Sequence, residues 1–161
     1  MKKIEFSQIG VINTPFKEQK GIPIQASFGE DIEASCKIFE EYSTGLKDLD
    51  CFSHAILIYY FHKCKEVKMI ARPYLEEKEH GIFAIRSPYR PNKLGFSIVK
   101  IKKIDSDTVY FTEVDILDGT PLLDIKPYVK YFDHRDNTRA GWIEKHFIDG
   151  NIPDKTILNN K

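Results

Sequence analysis

Residues 53–62 read SHAILIYYFH, and this stretch decides the fold class of the chain. It is dense in β-branched and aromatic residues, and its apolar side chains occupy both faces of an extended strand. The sequence therefore predicts a strand that is buried on both sides. The uninterrupted apolar run, residues 55–61, is far shorter than the roughly 20 residues that a membrane-spanning helix needs.

Further strands are predicted on either side of this one, from short runs of alternating or β-branched residues. The first has an imperfect alternation that slips between Phe6 and Ile9, which indicates a β-bulge. Asp105-Ser106-Asp107 is a hairpin turn signal between the last two strands. The predicted strands cover residues 3–12, 35–39, 81–86, 95–104 and 108–116.

The segments between these strands are predicted to be short helices or irregular chain. Residues 40–49 have helical spacing despite Gly45, and residues 138–147 indicate a terminal helix. Residues 21–28 are expected to be extended and interrupted by Pro23. Residues 63–80 form a polar connection, and the tail from residue 151 is expected to fray.

Six or more strands with two modest helices favour an all-β barrel, or an α+β fold centred on one. A doubly wound α/β fold is disfavoured because the usual dinucleotide or S-adenosylmethionine turn is glycine-rich, and the sequence has no Gly-x-Gly. The length of 161 residues fits one domain. We expect a barrel domain over residues 1–135, followed by a helix and tail over residues 136–161.

Composition limits the classes of function. The 24 basic residues balance 24 acidic ones, so any contact with RNA must come from a local patch rather than from global charge. The three cysteines are widely spaced without a Cys-x-x-Cys pair, so we expect reduced thiols and no metal site. With no charged-then-apolar leader, the protein is expected to be soluble and cytoplasmic.

The first candidate site segment is RSPYRPNKLG at residues 86–95, directly after a predicted strand. Its two prolines stiffen the chain, so Arg86 and Arg90 are held in place and lose less entropy when they bind an anion. A planar guanidinium suits bidentate contacts with a carboxylate or phosphate. The alternative is a structural arginine that pairs with Asp115 or Asp118.

The second candidate segment is DILDGTPLLDIKPY at residues 115–128. Asp118-Gly119 is a tight-turn dipeptide, and the glycine lets the backbone approach a ligand closely. An aspartate here could accept a hydrogen bond from a ribose hydroxyl or an ammonium group. The alternative is a local turn in which the aspartate binds its own backbone.

His54 and His62 lie eight positions apart on the central strand, nominally on one face. Eight positions span roughly 27 Å along a strand, so the two side chains cannot share a metal ion. His62 could border a pocket, whereas His54 is expected to be a structural histidine.

Several motifs, in order, resemble a known family. They are IGVI at 9–12 with TPF at 14–16, GLKDL at 45–49, FSH at 52–54, FH at 61–62, RS at 86–87, RPN at 90–92, DGTP at 118–121 and DIKPY at 124–128. The chain resembles the tRNA threonylcarbamoyladenosine N6-methyltransferases, the TsaA-like or TrmO-type family, over about residues 4–130.

This resemblance implies a mainly β fold: a single-sheet β-barrel with short peripheral helices that dimerises and binds S-adenosylmethionine without a Rossmann fold. It implies methylation of N6 of threonylcarbamoyladenosine beside the anticodon of tRNA. The implied cofactor contacts are Pro23, Ile24, Gln25, His62, Lys63, Arg86, Phe96, Asp118, Gly119, Thr120 and Pro121. The chain departs from the family pattern at Ile24, Lys63 and Lys93-Leu94, where relatives often carry arginine, glutamine and proline-isoleucine.

Contacts with the RNA are expected from Arg90, Asn92, Lys93 and Lys126. Because the acceptor nitrogen carries a proton, a base should remove it, and the unranked candidates are Asp118, Asp124, His62 and Tyr128. Two alternatives stay open. One is a methyltransferase of the same fold that acts on another substrate, and the other is a non-catalytic module that binds S-adenosylmethionine or RNA.

Overall fold

Six antiparallel strands form a closed barrel in the computed structural model, which describes residues 2–147 and residue 157. The order around the barrel is β1-β2-β7-β6-β3-β8, and β1 closes the ring by pairing with β8. A separate two-stranded sheet contains β4 and β5. The strands are β1 Gly10–Asn13, β2 Ala34–Ile38, β3 His54–Tyr60, β4 Ile70–Ala71, β5 His80–Gly81, β6 Leu94–Asp105, β7 Thr108–Thr112 and β8 Thr120–Pro127.

The helices are short and lie around the barrel, so the predicted mainly β barrel with peripheral helices is confirmed. They are one α-helical turn, α1 Lys130–Asp133, and 3-10 helices at Ala26–Phe28, Glu40–Leu46, Leu49–Cys51, Ile82–Ala84 and Gly141–His146. No helix within residues 2–147 is long and apolar enough to span a membrane.

The strand predicted over residues 53–62 is confirmed as β3, which pairs with both β6 and β8. Its burial alternates: Ala55, Leu57 and Tyr59 point into the core, while the intervening side chains are half-buried. A barrel strand has one interior face and one outer face. The outer side chains of β3 are apolar because the outer face is itself partly covered.

The barrel interior is filled by side chains from all six strands, including Ile12, Cys36, Val99, Phe111 and Leu122, each at most 1% exposed. Full burial of one such side chain contributes roughly 1.5–3 kcal/mol. β3 and β6 are the strands that lead to the site described below.

Three strand predictions need correction. The strand expected over residues 3–12 is limited to β1, because Ile4 and Phe6 are largely exposed and have no core to join. The strand expected over residues 81–86 is limited to Gly81 in β5, and a 3-10 turn follows at Ile82–Ala84, where Ile82 and Ile85 share a buried cluster with Ala71. The strand expected over residues 108–116 ends at Thr112, before Glu113 adopts a positive φ of 62°.

The sequence predicts no strand after residue 116, yet β8 follows at Thr120–Pro127. Two prolines made it unlike a strand, yet Pro121 and Pro127 lie in β8, opposite Val11 and Ala55 respectively. The register between β3 and β8 shifts at Ile58 and Tyr59, so Leu123 bulges out of the ladder. A bulged strand with fewer ladder bonds tolerates proline better than a regular central strand does.

The helical predictions are partly confirmed. The helix expected over residues 40–49 is two 3-10 segments, separated at Asp48, which has a left-handed φ of 66°. The terminal helix expected over residues 138–147 is the 3-10 helix Gly141–His146. The predicted connection 63–80 contains β4 and the first residue of β5, and residues 21–28 contain a 3-10 turn. The predicted frayed tail lies outside the described residues, apart from Ile157.

Candidate functional site

The larger of two adjoining cavities, about 760 Å³ in volume, opens where β3 ends and β6 begins. Tyr59 and Phe61 come from the end of β3 and Gly95 from the start of β6. Most of the remaining wall comes from the segments before Ala26, after β3, after β5 and before β8. Of the residues implied as cofactor contacts, eight line it: Pro23, Ile24, Gln25, His62, Lys63, Arg86, Phe96 and Thr120.

The smaller cavity, about 360 Å³, lies on the other side of a shared wall. Gln25, Arg86, Phe96 and Asp115 line both cavities. His54, Glu113 and Tyr128 line the smaller one, with His54 and Glu113 within 3.9 Å of each other. The two cavities therefore meet at four side chains that include one guanidinium and one carboxylate.

Arg86 is fixed at this shared wall. Its Nη1 donates to Gln25 Oε1 at 2.7 Å, and its guanidinium lies 6.0 Å from the ring centroid of Phe96. An amide oxygen satisfies only part of the guanidinium, which has five N–H donors. The remaining donors are available to a ligand carboxylate.

Asp115 is the most perturbed carboxylate of the site. Ser97 Oγ donates to Asp115 Oδ1 at 2.6 Å, and Tyr59 Oη lies 2.9 Å from Ser97 Oγ. Because the serine proton is given to the carboxylate, Tyr59 is the donor to Ser97. Burial raises the pKa of Asp115 to about 6, against the opposing effects of the Ser97 hydrogen bond and the nearby Arg86 charge. Burial also raises the pKa of Tyr59, which keeps its hydroxyl protonated.

Gly95 makes room for Tyr59, the tyrosine that donates a hydrogen bond to Ser97. It pairs with Tyr59 in the β3–β6 ladder, and a Cβ at Gly95 would lie 2.1 Å from Tyr59 Cε2. Such a contact is impossible without moving the ring. The glycine at the second position of β6 thus allows the Tyr59 ring to occupy the barrel end.

Asp118 holds the turn before β8 rather than facing a cavity. Its carboxylate accepts from the Thr14 amide at 3.0 Å and from Lys17 Nζ at 2.6 Å, and these contacts lower its pKa. Gly119 follows with a φ of 72°, as a tight turn requires. Asp118, Gly119 and Pro121 are not among the residues that line either cavity.

Thr120 connects this turn to His62. Its hydroxyl donates to the Leu117 carbonyl at 2.7 Å and lies 3.3 Å from His62 Nδ1. Burial, followed by the charge of Lys63, lowers the pKa of His62. A neutral imidazole therefore faces the larger cavity at neutral pH.

The side chains expected to contact RNA are dispersed. Arg90 lines the larger cavity, but its guanidinium donates to the carbonyls of Ile82 at 3.3 Å and Ile85 at 2.7 Å. Lys93 Nζ donates to the Lys65 carbonyl, and Lys126 pairs with Asp124 at 2.7 Å. Asn92, Lys93, Asp124 and Lys126 are not among the residues that line the cavities. Tyr128 lines the smaller one.

The larger cavity fits S-adenosylmethionine, which carries an adenosine, a sulfonium and an amino-acid group. Its volume is within the range of small-molecule sites, roughly 300–1,000 Å³. Phe61 and Phe96 offer apolar faces for a base, and Arg86 and Lys63 can meet a carboxylate. Within the described residues, no group of three or more histidine, cysteine or acidic side chains is arranged to hold a metal ion.

Several residues of the site were missed from the sequence: Tyr59, Ser97, Glu113 and, as a specific site residue, Asp115. Ser97 carried a usable signal, because a lone polar residue stands between Gly95 and Val99 on the interior face of β6. Glu113 and Asp115 carried no such signal. Glu113 lies near His54, and Asp115 binds Ser97, only because of the path that the chain takes after β7. His54 was expected to be structural, and it contacts Ser53 Oγ at 2.8 Å while lining the smaller cavity.

Comparison with known proteins is consistent with this geometry. The family model described as the tRNA-methyltransferase O N-terminal domain matches residues 11–134. A probable S-adenosyl-L-methionine-binding protein of Pyrococcus abyssi is 52% identical over 141 residues, which are 88% of this chain and 77% of that protein. The tRNA (adenine(37)-N6)-methyltransferase of Escherichia coli K12 is 30% identical, over 89% of this chain and 66% of that protein.

A solved structure has the same fold. The crystal structure of TrmO from Pseudomonas aeruginosa matches with a TM-score of 0.75 and 30% identity, covering 88% of this chain and 63% of that one. The chain thus spans about two thirds of these two bacterial proteins and a larger share of the archaeal one.

Proposed function

Since the chain belongs to the tRNA-methyltransferase O N-terminal domain family, we propose that it is an S-adenosylmethionine-dependent methyltransferase acting on N6 of threonylcarbamoyladenosine beside the anticodon of tRNA. The observation that carries the proposal is the larger cavity, in which eight of the eleven expected cofactor residues come together at one end of the barrel. Relatives named as binders of this cofactor and as tRNA methyltransferases support it.

S-adenosylmethionine supplies an electrophilic methyl group when it is bound. The chain's own task is to orient it, since a direct transfer between two bound groups depends on alignment. Arg86, held by Gln25, would hold the carboxylate of the cofactor, and the neutral His62 with Thr120 would offer hydrogen bonds elsewhere in the cavity.

The RNA is held by individual basic side chains in this proposal, because the chain has no net charge. Arg90, Asn92, Lys93 and Lys126 are the side chains expected to contact it. Arg90 contributes by shaping the loop after β5 through its two carbonyl contacts, and the exposed lysines contribute charge. Binding should weaken as salt concentration rises.

The proposal extends to assembly and location. The protein acts as a homodimer in the cytoplasm, with residues 1–135 as the catalytic barrel domain and residues 136–161 as a terminal appendage. Large exposed apolar side chains at Phe83, Tyr131 and Phe132 support a partner surface. Light scattering on the purified chain tests this statement, and a monomer at all concentrations would contradict it.

The reaction is tested with purified full-length protein, methyl-labelled S-adenosylmethionine and total tRNA, followed by digestion to nucleosides. We expect the label in methylated threonylcarbamoyladenosine. The control is tRNA from cells that lack the threonylcarbamoyl modification, which should stay unlabelled.

The two alternatives give different results in the same experiment. Label in another nucleoside would indicate a methyltransferase of this fold with a different substrate. Cofactor binding without any transfer would indicate a non-catalytic binding module. Either result would overturn the proposed reaction.

A further inference from the structure

The wall shared by the two cavities is where a reaction between two bound groups would take place. Asp115 and Arg86 face both sides of it. A cofactor in the larger cavity and an acceptor in the smaller one would approach each other across these side chains. This step rests on the proposed function, which assigns the larger cavity to the cofactor.

The smaller cavity has the character of a site for a polar, planar group. Phe96 and Ile98 supply an apolar surface from the outer face of β6, and Tyr128 lies edge-on to His54 with ring centroids 6.2 Å apart. Glu113 and His54 add hydrogen-bonding groups at its rim. Such a mixture suits a nucleobase with an attached carbonyl group better than it suits a purely apolar ligand.

Three of the four groups considered as bases from the sequence are poorly placed to serve this cavity, and the fourth, Tyr128, lines it. Asp118 is occupied by Lys17 and Thr14, and Asp124 is paired with Lys126. His62 lines the larger cavity only. Asp115 differs from these two carboxylates, because it lines the smaller cavity and no cationic side chain of the described residues forms an ion pair with it. Ser97 and the backbone amides of Asp115 and Ala26 donate hydrogen bonds to its carboxylate.

We infer that the smaller cavity binds the carbamoyl-bearing adenine of the acceptor and that the Asp115 carboxylate removes its N6 proton, with Ser97 and Tyr59 as positioning residues. The N6–H bond breaks and the proton goes to Asp115. The nitrogen forms a bond with the methyl carbon as the methyl–sulfur bond breaks, and its electron pair stays on the sulfur. The positive charge of the sulfonium and the negative charge of the carboxylate both disappear.

The electrostatics agree with this role. With its pKa raised to about 6 by burial, Asp115 is mostly ionised at neutral pH and still basic enough to accept a proton. Arg86 faces Asp115 from the loop after β5. Tyr59 acts on it through Ser97, from the interior of the barrel. The other titratable groups nearby line the smaller cavity, and they are His54, Glu113 and Tyr128.

The first experiment compares Asp115→Asn with Asp105→Asn in the full-length protein. Asp105 lies at the far end of β6, roughly 30 Å from Phe96 along the strand. Cofactor affinity, measured by equilibrium dialysis, should stay within threefold of wild type in both. The methyl transfer rate should fall about 10²- to 10⁴-fold in Asp115→Asn alone.

The pH dependence separates a base from a structural residue. In the wild type, the logarithm of the transfer rate should rise with unit slope to an inflection near pH 6 and then level off. Ser97→Ala removes a hydrogen bond that favours the carboxylate, so the inflection should move to higher pH. His54→Gln and Glu113→Gln should keep the inflection of the pH profile. Loss of the inflection in either variant would identify that residue as the base and overturn the assignment to Asp115.

The cavity itself is tested by blocking it. Ser27 is an exposed residue on its wall, and Ser27→Trp should leave cofactor affinity intact while lowering kcat/KM for the modified tRNA at least tenfold. Ser43→Trp, in another 3-10 helix, is the control. Wild-type efficiency in Ser27→Trp would overturn the acceptor site.

The outcomes distinguish the inference from the function on which it rests. If the wild type transfers no methyl group to threonylcarbamoyladenosine, both the proposed function and the inference are wrong. If it does, but Asp115→Asn stays within threefold of its rate, the inference alone falls. A large loss of cofactor affinity in Asp115→Asn would make Asp115 a counter-ion of the sulfonium, which also overturns the base assignment.

Discussion

Gly95 is a single residue on which the geometry of the barrel end depends. Tyr59 fills the space where a side chain of Gly95 would stand. The same tyrosine donates a hydrogen bond to Ser97, which in turn donates one to Asp115. An added methyl group must displace the ring, and displacement of the ring breaks this chain of hydrogen bonds. Packing and chemistry are therefore linked at one position.

We expect Gly95→Ala to lower the free energy of unfolding by about 1–3 kcal/mol, the usual cost of overpacking a core. Denaturant unfolding checks this value. Gly45→Ala is the matched control, because a Cβ there meets no atom within 4 Å, and it should be neutral or slightly stabilising. Equal stability of the two variants would contradict the steric role of Gly95.

At the scale of single residues, the sequence allowed a prediction of which segments are conformationally restricted, but not of which distant side chains bind each other. The prolines around Arg86 and the turn at Asp118-Gly119 could be recognised as features of local chain. That Asp118 is held by Lys17 and Thr14, more than 100 positions away, depends on β1 lying beside β8. No local pattern around Asp118 contains that information.

Among the elements, the 3-10 helix Gly141–His146 is attached to the loop before β5 by a compact polar cluster. Glu76, with a side chain only 8% exposed, contacts Lys145, His80 and His146. Trp142 stacks on His80 with centroids 4.7 Å apart and donates to the Ala84 carbonyl at 2.9 Å. The helix is held mainly by this cluster, because none of its residues is buried.

The attachment of this helix should depend on pH. The Lys145 and His80 contacts lower the pKa of Glu76 from 4.5 to about 2, so their stabilisation is present above pH 4.5 and is lost as the pH falls towards 2. Glu76→Gln should loosen the helix at neutral pH and converge with wild type in acid. The fluorescence of Trp142, the one tryptophan of the chain, reports on the helix.

Glu79→Gln is the control for this cluster, because Glu79 is an exposed carboxylate nearby in sequence. It should retain the pH dependence of the wild type. A Glu76→Gln variant with an unchanged fluorescence profile across the same pH range would show that the cluster does not hold the helix.

Elements with strong periodicity were predictable, as β3, β2 and the β6–β7 hairpin demonstrate. β8 was not, because its prolines and aspartates resemble a turn and its stability comes from neighbours on both sides. The turn at Ile82–Ala84 was mistaken for a strand for the converse reason. Its apolar residues pack into a small cluster under Trp142 that is remote from the barrel core.

For the whole molecule, the cavity predicts stabilisation by the cofactor. A ligand that binds only the folded state at 100 times its Kd adds about 2.7 kcal/mol to the free energy of unfolding. For a chain of this size, that corresponds to a rise in Tm of roughly 5–11 °C. Thermal unfolding with and without S-adenosylmethionine measures it, and an unchanged Tm at saturating concentration would contradict cofactor binding.

Arg86→Ala provides the comparison for that measurement. Loss of the guanidinium should weaken the carboxylate contact and reduce the thermal shift, while Asp105→Asn should leave it unchanged. Adenosine, which has no amino-acid group, should stabilise the wild type and Arg86→Ala to the same extent. A shift that is independent of Arg86 would remove this residue from the cofactor site.

Closure of the barrel by β1 and β8 has a consequence for how the chain acquires its native state. Gly10 pairs with Leu122, so the two strands that complete the ring are separated by most of the sequence. Contacts of such long range form late and slow the folding of a domain. During synthesis, the edge of β1 that pairs with β8 stays unpaired until residue 122 has left the ribosome. The contacts of the Asp118 turn with Thr14 and Lys17, which hold the part of the wall that carries Thr120, can therefore form only after this part of the chain has been synthesised.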